Sequence, residues 1–162
     1  MRAVVLADTH IGDSGSTRLP KRVWEEVCQA DVVLHAGDVV SASFLDQLRS
    51  VVPLHAVLGN NDTALVGILA NTVELDMEGA RVAIVHDSGP RAGREARMHR
   101  RFPSADVVIF GHSHIPWNAV GLARQLLFNP GSPTQRRRQP YRTFGLLELD
   151  AGKVRAEILR AD

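Results

Sequence analysis

Cysteine is nearly absent: Cys28 is the only one in 162 residues. No internal disulfide can form, and nothing points to an oxidising compartment. Long hydrophobic runs are missing as well. The N-terminal stretch reaches Asp8 after a short apolar segment, too short for a secretory core, and a membrane span needs about 20 apolar residues. The expectation is a cytoplasmic protein with no membrane partner. Neither sign of charge dominates, with 19 Lys and Arg against 18 Asp and Glu, so net charge does not indicate a nucleic-acid partner. Aromatic residues make up 5%, too few to interleave with arginine as a platform for stacked bases. Repeats, low-complexity tracts and Pro/Gly/Ser-rich linkers are also absent. With 44% hydrophobic and 23% charged residues, the composition is that of a globular protein, and one domain over residues 1–162 is expected.

Short Val- and Ile-rich runs predict buried strands at Ala3–Ala7, Val32–Leu34, Leu54–Leu58, Val82–Val85 and Val107–Phe110. Helical spacing falls between the early ones, over Leu19–Ala30 and Ser43–Ser50. That alternation predicts α/β layers with parallel crossovers. Two further stretches read as hairpins, Thr72–Glu78 with Arg81–Val85 about Gly79, and Phe144–Leu149 with Val154–Leu159 about Asp150–Lys153. They imply a second sheet or antiparallel edges on a mixed one. Arg91–Arg101 reads as an Arg-rich helix stopped near Pro103.

The polar residues at the end of each apolar run carry the chemistry. The first run leads into Asp8-Thr9-His10, the second into His35-Ala36-Gly37-Asp38, and the third into Gly59-Asn60-Asn61-Asp62. The fourth leads into His86-Asp87, and the fifth into Gly111-His112-Ser113-His114. Ligands of open α/β sheets bind outside the carboxyl ends of the strands, so these side chains can converge on one crevice. Glycines before Asp38, Asn60 and His112 suit a chain turning sharply off a strand. A lone Asp-x-His is usually a capped loop; five such motifs at five strand ends are not explained one by one. Carboxylate, amide and imidazole donors suit Mn, Fe, Co, Zn or Ni rather than soft ions. One carboxylate shared by two ions holds them about 3.5–4 Å apart, as hydrolytic two-metal sites require.

Taken in order from Asp8 to His114, these motifs resemble the calcineurin-like metallophosphoesterase family. Asn129-Pro130-Gly131-Ser132-Pro133 is similar to the loop of its small bacterial and archaeal phosphodiesterase branch. The resemblance implies two packed mixed β-sheets flanked by helices, a four-layer αββα sandwich. It implies a dinuclear-metal-dependent phosphoesterase, a phosphodiesterase rather than a monoesterase, acting through a metal-bridging hydroxide on an ester of unidentified structure. Carried over by position, one metal takes Asp8, His10, Asp38 and His114, and the other takes Asp38, Asn60, His86 and His112, with Asp38 as the bridge. Mn²⁺ is the first expectation for both divalent ions, with Fe, Zn, Ni, Co or Mg as alternatives. Many relatives carry a histidine at the position of Asn61, where it contacts substrate and helps protonate the leaving group; an amide has no acidic proton to give. The small branch often reads His-Gly-His where this chain has His86-Asp87-Ser88.

Several residues have plainer readings. His35 and His55 lie in apolar strands and read as core histidines, His99 as solvated, and Cys28 as part of a buried helix face. Asp62 reads as a cap or as the residue that orients Asn60. The two arginine runs, one from Arg91 to Arg101 and one from Arg136 to Arg142, read as solvated surfaces, or else as contacts to a substrate phosphate. The rival to an enzyme is a catalytically inactive scaffold resembling the retromer scaffold subunit. That subunit lacks some metal-site histidines, whereas His10, His86, His112 and His114 are all present here. The sequence leaves homo-oligomers open.

Overall fold

The computed structural model describes all 162 residues. One sheet carries the strands β1 (Arg2–Leu6), β2 (Val32–His35), β3 (Leu54–Ala56), β9 (Thr143–Asp150) and β10 (Lys153–Arg160) in the order β10-β9-β1-β2-β3. The other carries β4 (Thr72–Met77), β5 (Ala80–Val85), β6 (Val107–Ile109), β7 (Trp117–Val120) and β8 (Leu126–Asn129) in the order β4-β5-β6-β8-β7. Both sheets are mixed. β1, β2 and β3 run parallel, as do β5, β6 and β8, while the outer strands pair antiparallel. The two expected hairpins are β4–β5 and β9–β10. β7 and β8 complete the second sheet where no strand was expected.

Three apolar layers explain the stacking. Val5, Leu34 and Leu147 of the first sheet meet Ile84, Ile109 and Phe128 of the second in a central core. The outer face of the first sheet, with Val4, Leu6 and Val33, is covered by α1 (Lys21–Gln29) and α2 (Ala42–Arg49). Val23 and Val27 face it from α1 at i, i+4 spacing, and Phe44, Leu45 and Leu48 from α2. Each such side chain, fully buried, contributes roughly 1.5–3 kcal/mol. Ser41 caps α2 by accepting the Phe44 N–H. The second sheet is covered by α3 (Arg94–Arg101), which buries only Met98. No helix is long and apolar enough to cross a membrane.

α3 is held by its arginines rather than by an apolar stripe. The Arg94 guanidinium lies 4.9 Å from the Phe110 ring centroid and 5.2 Å from that of Trp117. Arg97 donates to the carbonyls of Ser88 and Pro90. These two are therefore structural, not part of a solvated face. Cys28 and His55 are exposed, against the expectation for both. Cys28 falls on the outward side of α1, and the short β3 turns His55 to solvent.

Because the parallel strands of both sheets end on one side, six loops meet there. Backbone bonds join them within each sheet, including Asp8 N–H to the Gly37 carbonyl at 2.9 Å and Gly111 N–H to the His86 carbonyl at 2.9 Å. Asp62, 1% exposed, ties the loops after β2 and β3 together. Its carboxylate accepts from the N–H groups of Asp38 (2.9 Å), Val40 (2.7 Å) and Gly59 (2.7 Å). It binds backbone rather than the Asn60 side chain. Asp62→Ala strands three inward donors and should lower unfolding free energy by about 3 kcal/mol or more, Asp62→Asn by less because an acceptor oxygen remains. Denaturant unfolding of both variants checks this; a loss under about 1 kcal/mol for Asp62→Ala would contradict the role given to it.

Candidate metal centre

All seven side chains expected as ligands come together where the six loops meet. The donor atoms of Asp8, His10 and His114 lie within 4.8 Å of one another, as do those of Asp8, Asp38 and His86. His10 Nε2 and His114 Nε2 face each other at 3.2 Å. Asp38 stands between two groups, its Oδ2 3.6 Å from His10 Nε2 and its Oδ1 3.6 Å from His86 Nε2. Asn60 Oδ1 continues the second group, 3.0 Å from His86 Nε2 and 2.9 Å from His112 Nδ1. The cluster is closed at Asp8, Asp38 and His114 and open to solvent at Asn60, Asn61 and His112.

The backbone is bent hard to achieve this. Asp8, His10, Asp38, His112 and His114 all have positive φ, between 45° and 68°. Left-handed residues other than glycine cost about 1–3 kcal/mol each and collect at functional sites. Two glycines make room. Gly37 has φ +88°, and a Cβ there would lie 2.6 Å from His86 Nδ1; at Gly59 it would lie 2.2 Å from the Asp38 nitrogen. The glycines read from the sequence as turn residues thus also serve close packing.

Neighbouring groups fix the imidazoles. His86 Nδ1 lies 2.7 Å from the Ala36 carbonyl, and His114 Nδ1 lies 2.9 Å from that of Gln135. A carbonyl only accepts, so each Nδ1 carries the proton and each Nε2 turns a lone pair toward the cluster. The loop after β8 supplies anchors that the ligand pattern did not reveal. Ser132 Oγ donates to the Asp8 carbonyl and Thr134 Oγ1 to that of Thr9, both at 2.7 Å. The signal for them in the sequence was the Asn-Pro-Gly-Ser-Pro segment. His35 is a core residue as expected, its Nε2 3.0 Å from Thr9 Oγ1. His99 is half-buried.

The electrostatics suit cations. Burial, with the Asp38 charge beside it, pushes the Asp8 carboxyl up to about 8. Asp8 Oδ1 accepts the His112 N–H at 3.1 Å, while Oδ2 is buried without a partner. Burial also lowers His10, and takes His114 down to about 4, so these two rings are neutral donors at pH 7. Asp38 is pulled the other way. Burial favours its protonation, but the Asn61 backbone N–H at 2.8 Å and side-chain amide at 2.7 Å, together with His86 and His10 beside it, hold the carboxyl below its usual range. A buried orphan carboxylate oxygen beside inward-facing imidazole lone pairs fits a divalent cation. Two nitrogen donors on one zinc-sized ion would stand about 3.0–3.4 Å apart, which matches the separation of His10 and His114.

The family model for the calcineurin-like phosphoesterase superfamily domain matches residues 1–152. A "probable metallophosphoesterase" of Methanothermobacter thermautotrophicus is 33% identical over 158 residues, which cover 96% of this chain and 90% of that protein. Among solved structures, Entamoeba histolytica Vps29 complexed with Zn²⁺ superposes with a TM-score of 0.77 at 22% identity, covering 100% of both chains. An archaeal phosphodiesterase superposes with a TM-score of 0.72 at 20% identity, covering 98% of this chain and 100% of the other. With the family model matched over nearly its whole length, this chain belongs to the calcineurin-like phosphoesterase superfamily.

Proposed function

We propose that this protein is a cytoplasmic phosphodiesterase whose dinuclear centre is bridged by Asp38, with Mn²⁺ as the first-choice ion. The observation that carries the reading is the placement of Asp38, one carboxylate oxygen toward His10 and the other toward His86. Asp8, His10, Asp38 and His114 would hold one cation, and Asp38, Asn60, His86 and His112 the other. Asp8 lies close to both groups as well, but its carboxylate contacts the imidazole of His114 alone, whereas Asp38 turns one oxygen to a histidine of each group, so Asp38 is the better bridge. Bound there, such ions supply charge that activates water and offsets the charge of the phosphate.

The chain's own residues set the rest. Two carboxylates against two divalent ions leave a local charge of about +2, which favours an anionic ester. Asn61 holds Asp38 in its ionised form through two hydrogen bonds. The carbonyls behind His86 and His114 keep their Nε2 atoms free of protons. The open side at Asn60, Asn61 and His112 admits substrate, and an adjoining depression of about 480 Å³, lined in part by His86, Asp87 and Arg101, can take a leaving group. The diester preference draws on the fold shared with an archaeal phosphodiesterase and on the Asn129–Pro133 segment. The fold shared with Vps29 favours a second reading, an inactive scaffold, against which stands the full set of inward-facing histidines.

Metal-stripped protein should be inert toward bis(p-nitrophenyl) phosphate, and Mn²⁺ should restore hydrolysis. His86→Ala should lower kcat/KM more than about 100-fold, beyond the usual effect of an outer-shell partner, with the circular-dichroism spectrum unchanged. Equal, negligible turnover by wild type and variant with every divalent metal would support the scaffold instead.

Asn61 is the proposed substrate contact at the position where relatives carry histidine, and it has no acidic proton to give. General acid catalysis is worth about 10²–10⁴-fold and matters most for basic leaving groups. A series of aryl and alkyl esters should therefore give a steep fall of kcat/KM with leaving-group pKa. Asn61→His should flatten it by rescuing the poor leaving groups. A shallow slope in the wild type would mean that another side chain delivers the proton.

A further inference from the structure

Two depressions border the metal centre. The one described above is lined in part by Asn60 and His86, ligands of the second group. The other encloses about 410 Å³ and is framed by the two segments that leave the His10–Asp38 pair. From His10 the chain continues through Ile11, Gly12 and Asp13, all in the cavity wall. From Asp38 it continues through Val39 and Val40 into α2, which adds Ser43, Phe44 and Gln47. Gly12 is two residues from His10, so their Cα atoms are no more than about 7 Å apart. The volume is that of a small-molecule site, for which about 300–1,000 Å³ is usual.

The walls are held in place relative to the centre. The N–H groups of His10 and Ile11 donate to the carbonyls of Asp38 (3.0 Å) and Val39 (3.2 Å). Val40 has φ 84°, a left-handed conformation that is strained for a β-branched residue, and its N–H is held by Asp62. That strained residue, between the bridging carboxylate and α2, fixes where the helix starts. Ser43 Oγ donates to Asp13 Oδ1, which ties one wall to the other. The floor is apolar: Ile11 and Phe44 are buried, Trp24 of α1 is half-buried, and all three belong to the core between the first sheet and its helices.

This lining selects a class of ligand. The Trp24 indole offers a flat apolar surface, Asp13 keeps a carboxylate oxygen beyond its bond to Ser43, and Gln47 presents an exposed side-chain amide. A small alcohol would leave the ring uncovered, and a purely apolar group would leave the carboxylate and amide unused. An aromatic ring with polar groups at its edge uses both, and a nucleoside is such a group. A phosphodiester carries two substituents, and the depression at Asn60 and His86 already takes the one that leaves. We propose that the cavity beside His10 is the subsite for the substituent that stays on phosphorus, and that it takes a nucleoside, with its base against Trp24 and its polar groups toward Asp13 and Gln47. Water adds across the other ester bond, the leaving alcohol departs, and a nucleoside monophosphate remains. One base on one ring suffices, so the scarcity of aromatic residues is no obstacle. The subsite rests on the phosphodiesterase reading for the reaction, but nucleotide binding can be measured without turnover.

The experiment compares three diesters that share the p-nitrophenolate leaving group, with methyl, phenyl or 5′-thymidyl as the retained substituent, on the Mn²⁺-loaded protein. The wild type should favour thymidyl over methyl in kcat/KM by about fivefold to a hundredfold, the usual worth of a base stacked on an aromatic side chain, with phenyl between. Trp24→Ala should bring the thymidyl-to-methyl ratio close to one, and Trp24→Phe should restore part of it. Cys28→Ser, on the outward side of the same helix, should leave the ratio unchanged. Gln47→Ala, at an exposed helix position, should lower it roughly two- to tenfold, as one lost hydrogen bond does, and serves if Trp24→Ala fails to fold. In calorimetry, thymidine 5′-monophosphate should bind the Zn²⁺-loaded protein more tightly than methyl phosphate, and Trp24→Ala should abolish the difference. Equal rates on the three diesters, or a ratio that survives both Trp24→Ala and Gln47→Ala, would overturn the subsite. If no ester is hydrolysed yet the Trp24-dependent preference for thymidine monophosphate is found, the nucleoside site stands and the phosphodiesterase reading falls. If diesters are hydrolysed and neither the ratio nor that preference appears, the reverse holds.

Discussion

The carboxylate of Asp38 is the constraint on which the site depends. It is 2% exposed, in a chain that places a second buried carboxylate, Asp62, on its own backbone N–H. Burying charge is costly unless it is paired. The chain answers part of that cost with the two Asn61 donors and leaves the rest to whatever lies between Asp38, His10 and His86. Asp8 makes the same point from the other side, since burial beside Asp38 keeps its proton on up to about pH 8. The centre lacks positive charge, and divalent cations are the species that the donors around it suit.

That demand explains the conformation of the loops. Left-handed backbone at Asp8, His10, Asp38, His112 and His114 would be a liability in an ordinary turn. Here it aims side chains from both sheets into one volume. The scaffold holds them there with bonds that cross between the sheets: His112 N–H to Asp8, Ser132 Oγ to the Asp8 carbonyl, and His86 to the Ala36 carbonyl. Rigid strands set the positions, and short loops carry the strain. The loop after β8 takes part in the same framework, through Ser132, Thr134 and the Gln135 carbonyl, although it lies well after the last ligand in the chain.

Much of this was legible in the sequence because β-strands in the core of such a fold are buried on both faces. Val4-Val5-Leu6 and Val107-Val108-Ile109 announce themselves as continuous apolar runs, and the polar residues that end them mark the site. β7 and β8 gave no such signal. β7 is a half-exposed edge strand of four residues held by its partner, and β8 is four residues leading straight into Asn129-Pro130-Gly131. Cys28 and His55 misled because an apolar residue type or neighbourhood does not fix which way a side chain turns. The arginine run on α3 misled in the opposite direction, since charge reads as solvated until the rings of Phe110 and Trp117 are placed beneath Arg94. Asp62, Ser132 and Thr134 also bind backbone groups of loops far off in the chain; the Asn129–Pro133 segment marked its own loop but not the partners of that loop.

Anomalous diffraction at the manganese edge, from crystals soaked in Mn²⁺, tests the bridging role of Asp38 most directly. Two peaks are expected about 3.5–4 Å apart on either side of the Asp38 carboxylate, one against Asp8, His10 and His114, the other against Asn60, His86 and His112. A single peak at saturation, or peaks away from Asp38, would contradict a dinuclear centre bridged there.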